Sequence, residues 1–105
     1  MTLKKRTAIF KALGHPARLR ITDSLCSGER CVCELVEVAG LGWSTVSRHL
    51  AVLKRAGIID AERRGQQVFY RLRLACLSEV TRCLDRAISI EGEAEVCSCL
   101  SLPGS

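Results

Sequence analysis

Apolar residues recur with a helical period along the first part of the chain, and glycine or proline interrupts them at short intervals. Between positions 3 and 13 they alternate with lysine and arginine, which predicts a basic amphipathic helix that ends at Gly14. Pro16 suits the first turn of a second helix, because a residue at that position needs no backbone N–H. The pair Ser27 and Gly28 then closes the second helix.

The next two apolar stripes predict a helix-turn-helix. The third helix has four apolar residues at i, i+3, i+4 and i+7, which are Val32, Leu35, Val36 and Ala39. Gly40 ends that helix, and the short linker after it forces a sharp turn. The fourth helix, capped by Gly42 or Ser44, has three residues on its inner face, which are Val46, Leu50 and Leu53.

From residue 58 to residue 72 the apolar period changes to two, which predicts a β-hairpin with a basic, amide-rich tip. A fifth helix is predicted from about Leu74 to Ile90, with Cys76 and Cys83 on its broad apolar face. We expect this face and the first helix to pack against a second copy of the chain. The predicted fold class is therefore mainly α with a small β-hairpin, as a homodimer through the first and last helices.

The 105 residues predict one domain over residues 1–90, followed by a flexible acidic tail, residues 91–105, that contains Cys97 and Cys99. Residues 1–90 carry sixteen basic and eight acidic side chains, an excess that attracts polyanions such as nucleic acid. A signal peptide and a long apolar span are both missing from the pattern, so we expect a cytoplasmic protein with no membrane partner. In that compartment the seven cysteines would be mostly reduced.

The fourth helix and the hairpin carry the candidate DNA contacts. A helix in the major groove presents its N-terminal side chains to base edges, and surrounding cations bind phosphates. On the outer face of the helix we expect this role for Ser44, Thr45, Ser47, Arg48, His49 and Lys54. At the hairpin tip we expect it for Arg63, Arg64, Gln66 and Gln67.

Cys31 and Cys33 flank a valine where the third helix begins. Residues two apart on a regular helix point about 200° away from each other, because each residue turns about 100°. These two thiols can therefore bind one ion only if Cys31 lies in the preceding loop or if the first turn opens. Binding would then deform the start of a helix that supports the DNA-reading helix, which would couple the two sites.

Four phrases of the sequence occur in an order and spacing that resemble one family. They are FKALGHPARLRI, CVCEL, STVSRHLAVLKRAGII and RRGQQVFYRL, and together they span roughly residues 8 to 74. The chain resembles the ArsR/SmtB family of bacterial metal- and metalloid-responsive repressors. The resemblance implies a homodimeric winged helix-turn-helix that binds double-stranded operator DNA and represses a resistance operon until an effector binds.

The phrase CVC resembles the arsenite and antimonite sensors of that family, and also its cadmium- and lead-sensing branch. The implied effector is As(III) or Sb(III), which prefers three thiolates. One arsenic-sensing version has its third cysteine where Val36 stands here. Other candidates for the third sulfur are Cys97 and Cys99, which we favour, or Cys26. A family-like alternative would join Cys83 to Cys97 and Cys99 at the dimer edge.

The chain is thus predicted to repress an arsenic or antimony resistance operon and to need no catalytic cofactor. The alternatives are a cadmium- or lead-responsive repressor, and one that senses oxidants or reactive sulfur through its thiols. An enzyme is disfavoured, because the sequence has no glycine-rich phosphate loop and no nucleophile with a neighbouring base. Trp43 stands where a small polar residue is more usual in the family, so its role stays open.

Overall fold

The computed structural model describes the backbone of residues 2–91 and the side chains up to residue 87. The described residues form five helices and three strands: α1 (Leu3–Leu13), α2 (Pro16–Leu25), β1 (Arg30–Cys31), α3 (Val32–Ala39), α4 (Trp43–Arg55), β2 (Ile59–Arg64), β3 (Gln67–Leu72) and α5 (Leu77–Glu91). Contacts divide the chain into two units, residues 1–75 and residues from 76 onward. The first unit holds α1 to α4 and the sheet, and the second holds α5.

Local capping explains where the first helices begin. The Thr2 hydroxyl accepts a hydrogen bond from the backbone N–H of Lys5 at 3.1 Å, which caps α1. At the start of α2 the imidazole Nδ1 of His15 accepts from the N–H of Ala17 at 3.1 Å, and Pro16 follows in the first turn. Helix α3 ends at Gly40 with φ of 67°, a left-handed conformation that glycine adopts without steric cost and that permits the sharp turn into α4.

The sheet is antiparallel, with strand order β1-β3-β2. The β2–β3 hairpin is the wing, and its register pairs Ile59 with Leu72 at the base and Arg64 with Gln67 at the tip. The predicted hairpin is confirmed. The two-residue strand β1 was not predicted, because two residues are too short to show a period.

The core of the first unit lies where α2, α3 and α4 meet the base of the wing. Its fully buried side chains are Ile21, Leu35, Val46, Leu50, Leu53, Ile58 and Ile59, each at most 2% exposed. The predicted inner face of α4 is therefore confirmed. On α3, Leu35 and Ala39 are buried, whereas Val32 and Val36 are only half-buried.

Helix α5 differs from expectation at its start. It begins at Leu77 rather than near Leu74, so Cys76 precedes the helix instead of lying on its apolar stripe. The thiols of Cys76 and Cys83 are both exposed in one protomer, so their spacing does not bury them within a single chain. Val80 and Leu84 on the same helix are 47% and 54% exposed, so much of the apolar stripe is uncovered within one chain.

The predicted acidic tail lies outside the described residues apart from Glu91, and Cys97 and Cys99 lie there with it. Among the helices described here, none combines the length and the apolar character that a membrane span requires.

Candidate DNA interface and thiol site

The outer face of α4 exposes the short polar and basic side chains of the candidate DNA interface. Ser44, Ser47, Arg48 and Lys54 are exposed and Thr45 is half-buried, while the inner face of the same helix packs into the core. These side chains can therefore reach a major groove without disturbing the fold. Their contacts with bases or phosphates remain predictions.

Trp43 is the first residue of α4 and lies beside this face. Its N-cap is Gly42, one of the two residues expected to cap the helix. The indole is 56% exposed, so it does not pack beneath the turn. A large exposed aromatic side chain at the N-terminus of a DNA-reading helix can contact a base edge or the sugar-phosphate backbone.

His49 was expected on the outer face but is half-buried against α2. Its Nδ1 atom lies 3.3 Å from a guanidinium nitrogen of Arg18, and its ring centroid lies 4.5 Å from that of His15. His49 follows the buried Val46 by three positions, which places it at the edge of the inner face of the helix. Its location therefore follows from the helical period.

The Arg18 contact fixes the protonation state of His49. A guanidinium can only donate, so Nδ1 of His49 must accept, and the neutral ring carries its proton on Nε2. The pKa of His49 is lowered by burial first, and then by the charges of His15, Arg18 and Arg48. Arg18 is itself held in place, because its Nε donates to the carbonyl of Ala12 at 2.6 Å.

The DNA contacts predicted at the wing tip fall into two groups, three side chains that are exposed around the turn and one, Arg64, that is held in ion pairs. Arg63, Gln66 and Gln67 are exposed around the turn and can reach DNA. Arg64 instead makes ion pairs with Glu29 and Glu62, and its guanidinium lies 4.8 Å from the centroid of the Phe69 ring. The Glu29 pair has two points of contact, of which the NH2–Oε2 bond measures 3.1 Å.

These ion pairs shift the ionisation of all three groups. The hydrogen bonds that Arg64 donates to Glu29 and Glu62 raise the pKa of Arg64, and the same bonds lower the pKa of Glu29 and of Glu62. Sequence reasoning missed Glu29, because its partner is 35 residues away and no local pattern connects the two.

The structure places Cys31 outside the helix and Cys33 within its first turn. Cys31 has extended backbone angles, serves as the N-cap of α3 and pairs with Phe69 of β3. Its Cα lies 5.4 Å from that of Cys33, and a disulfide joins the two residues. Cys31 therefore lies before the helix, which is one of the two geometries that would let both sulfurs bind one ion.

The two sulfurs differ in access. Cys31 is 6% exposed, whereas Cys33 lies on the exposed side of α3. A carboxylate oxygen of Glu34 accepts a hydrogen bond from the Cys31 N–H at 3.0 Å and so fastens the junction between β1 and α3. Cys33 is therefore the sulfur that a reagent meets first.

The donor set fits a soft, thiophilic ion in kind but is incomplete in number. Cys31 and Cys33 supply two sulfurs at one place, and Cys26, another candidate, is half-buried at the C-cap of α2. Within the described part of the chain, no three cysteine, histidine or carboxylate side chains are grouped so that they could hold a metal ion. Two thiolates can therefore come from this site, and a third must come from elsewhere.

Comparisons with known proteins agree with this architecture. The model of the arsR family of bacterial regulatory proteins matches residues 15–61, from the start of α2 into β2. The chain is 38% identical over 76 residues to the biofilm growth-associated repressor of Xylella fastidiosa, covering 72% of this chain and 67% of that protein. It is 46% identical over 65 residues to the arsenic resistance transcriptional regulator ArsR1 of Pseudomonas putida, covering 61% of this chain and 51% of that regulator.

A solved structure has the same fold over most of this chain. The homodimeric winged helix-turn-helix DNA-binding domain of Mb0332 from Mycobacterium bovis, described as a possible ArsR-family regulator, superposes with a TM-score of 0.77 at 29% identity. The match covers 87% of this chain and 88% of that domain. The chain therefore belongs to the arsR family of bacterial regulatory proteins, and it is a DNA-binding transcriptional repressor and not an enzyme.

Proposed function

We propose that this repressor loses affinity for its operator when As(III) or Sb(III) binds Cys31 and Cys33. The observation that carries the proposal is the meeting of these two sulfurs at the junction of β1 and α3, one before the helix and one inside it. The likeness to an arsenic resistance regulator supports the choice of effector. We expect the protein to act in the cytoplasm, where its thiols stay reduced.

When bound, trivalent arsenic supplies strong bonds to thiolate sulfur. The reduced Cys31 and Cys33 side chains would hold it at the start of α3. The third sulfur is proposed to come from Cys97 or Cys99, which lie outside the described residues, with Cys26 as the alternative on α2. The alternative arrangement is a separate site that joins Cys83 to the two tail cysteines.

The coupling to DNA follows from what the junction touches. Helix α3 packs against α2, α4 and β3, with Leu35 fully buried beneath it. Cys31 is at the same time paired with Phe69 in the wing. A displacement of Cys31 and Cys33 would therefore disturb the support of the reading helix and the base of the wing together.

The DNA-binding half of the proposal rests on charge and exposure. Arg48 and the wing tip would contact phosphates, while the exposed serines near the start of α4 would face base edges. Removing one phosphate contact, as in Arg48→Ala, lowers the slope of log affinity against log salt by about one unit. An unchanged slope would remove Arg48 from the interface.

We propose that two copies bind together, because the α5 stripe with Val80 and Leu84 is uncovered in one chain and the M. bovis domain is homodimeric. Two-fold symmetry then predicts an operator of two half-sites about one helical turn apart.

The deciding experiment uses reduced protein on an operator selected from a random DNA pool. Arsenite should release the DNA at concentrations at which cadmium, lead and peroxide leave it bound. Cys76→Ser provides the matched control, since Cys76 is an exposed free thiol outside the site and its loss should not change the response. Release by cadmium or lead alone would indicate that the protein belongs to the cadmium- and lead-sensing branch of the family.

A second candidate function is thiol oxidation sensing, and the disulfide between Cys31 and Cys33 favours it. In that reaction two thiols lose two electrons and two protons as peroxide is reduced to two waters, and the S–S bond forms. The oxidised junction would then be the state that releases DNA. Release by peroxide but not by arsenite would establish this function and exclude the first.

A further inference from the structure

A groove between α1 and the C-terminal half of α4 collects positive charge and shares only Lys54 with the candidate DNA interface. It consists of two adjoining cavities with volumes of about 590 and 290 Å³. Both are lined by Ala8 of α1 and by Arg55 and Ala56 at the end of α4. Cavities of this size are in the range that holds a small organic molecule.

Cations surround the groove. The larger cavity is lined by Lys4, Lys5, Lys54, Arg55 and Arg73, and the smaller one adds Lys11 and Arg18. No carboxylate of the described residues lines either cavity. Seven of the sixteen basic residues of the chain therefore line the groove, with no carboxylate of the described residues among them, an arrangement that an anion stabilises.

Between the cations the groove is apolar. Ala8 and Ala12 of α1 face Val52 and Ala56 of α4, and these small side chains leave room along the groove. Ile9 and Leu74 extend the apolar lining of the larger cavity. A purely inorganic anion would use the charges alone, whereas a molecule with both an acidic head and an apolar body would use the whole lining.

Apart from Lys54, the groove is lined by residues outside the face proposed to read DNA. The reading side chains lie near Ser44 and Arg48, and the groove begins at Val52 and ends beyond Ala56. With a rise of about 1.5 Å per residue, Ser47 and Lys54 are about 10 Å apart along the helix axis. DNA held at the N-terminus of α4 would therefore leave the groove open.

We infer that this groove is a binding site for a small amphipathic organic acid, with its carboxylate held by the cations and its apolar body against the alanine and valine side chains. The site is independent of the thiol pair and of its effector. Because α1 and α4 form the walls of the groove, a bound ligand would also affect the position of the DNA-reading helix.

The test is a titration of the full-length reduced protein with octanoate, followed by the backbone amide signals in ¹H–¹⁵N NMR spectra. Saturable shifts are expected at Ala8, Val52 and Ala56. The double variant Lys5→Ala and Arg55→Ala should weaken octanoate binding at least tenfold. Ala8→Phe, which fills the groove and keeps its charge, should weaken binding comparably.

Matched controls distinguish a specific octanoate site from nonspecific electrostatic attraction. Arg63→Ala removes an equal kind of charge from the exposed wing tip and should leave octanoate affinity unchanged. Acetate and octanol each lack one half of the required chemistry, and both should bind at least tenfold more weakly than octanoate.

Several outcomes would overturn the inference. These are an absence of saturable binding, shifts that map to the wing or to α5, and an equal loss of affinity in Arg63→Ala. Groove signals that respond to protein dilution but not to octanoate would show that a second copy of the chain covers the surface, which also overturns it.

Discussion

Arg64 of the wing holds both carboxylate oxygens of Glu29, two residues before Cys31 in the sequence. Cys31 is in turn paired with Phe69, on the strand that neighbours Arg64. The wing and the start of α3 are thus joined twice, once by backbone pairing and once by an ion pair. We therefore expect a change at the thiol pair to reach the wing.

Glu29→Gln tests this connection. The substitution breaks the ion pair between the wing and the thiol segment and leaves Arg64 with Glu62 as a carboxylate partner, so Arg64 is more available to a DNA phosphate. We expect tighter operator binding without arsenite and a smaller ratio between the operator affinities without and with arsenite, both measured by fluorescence anisotropy. Glu62→Gln is the control, because it also removes a partner of Arg64 but leaves the link to Glu29 intact. If both variants show the wild-type ratio, the ion pair does not transmit the signal.

His49 should make the stability of the protein depend on pH. Its pKa is lowered in the folded state, by burial and by neighbouring cations, from an ordinary value of about 6.5. The unfolded chain therefore binds the proton more readily, so this contribution to stability is fully present above about pH 6.5 and is lost as the pH falls through the lower folded pKa.

The variant His49→Gln keeps an acceptor for Arg18 but does not titrate. Urea unfolding between pH 7 and pH 5 should show a smaller loss of stability for the variant than for the wild type. His15→Asn is a companion variant that removes the imidazole beside His49 and keeps the helix cap, since asparagine also caps helices well. Identical pH slopes for wild type and His49→Gln would refute the assignment of the neutral ring.

Trp43 is the single tryptophan of the chain, so its fluorescence reports one position. Because the indole is 56% exposed at the start of α4, operator DNA should quench its emission or shift it to shorter wavelength. DNA of unrelated sequence at equal concentration is the control for loose association. Emission that is unchanged on operator binding would place the indole away from the DNA.

Leu50→Ala tests the packing beneath the DNA-reading helix. Leu50 is 2% exposed, and replacing a buried leucine by alanine costs about 2–5 kcal/mol in the free energy of unfolding. Chemical denaturation measures the loss. Leu41→Ala is the control, since Leu41 is 39% exposed and its truncation should cost well under 1 kcal/mol, roughly as for other surface changes. Equal effects of the two substitutions would contradict the observed inner face of α4.

The helices and the wing could be predicted from the sequence because their patterns are local. The inner face of α4 follows from the spacing of Val46, Leu50 and Leu53, and all three are buried. The wing follows from the change to period two, and its strands pair across residues 59 to 72 as expected. Pro16 and Gly40 mark a helix start and a helix end where they were expected.

What the sequence could not provide depends on contacts between distant residues. The strand β1, the Glu29–Arg64 ion pair and the contact of Arg18 with His49 each join positions about thirty or more residues apart. Cys76 and Cys83 are exposed in one chain, and their burial against a second copy stays a prediction, because helical spacing identifies a face but not what covers it. The position of Cys31 and Cys33 at the start of α3 followed from the sequence, and their role as effector ligands stays a prediction.

The central claim is that Cys31 and Cys33 together control release from DNA. Its most direct test is the operator affinity of the double variant Cys31→Ser and Cys33→Ser, measured in reducing buffer over a series of arsenite concentrations beside the wild type. We predict that the variant binds its operator with near wild-type affinity and stays bound at arsenite concentrations that release the wild type. Release of the variant at the same arsenite concentration as the wild type would contradict the account.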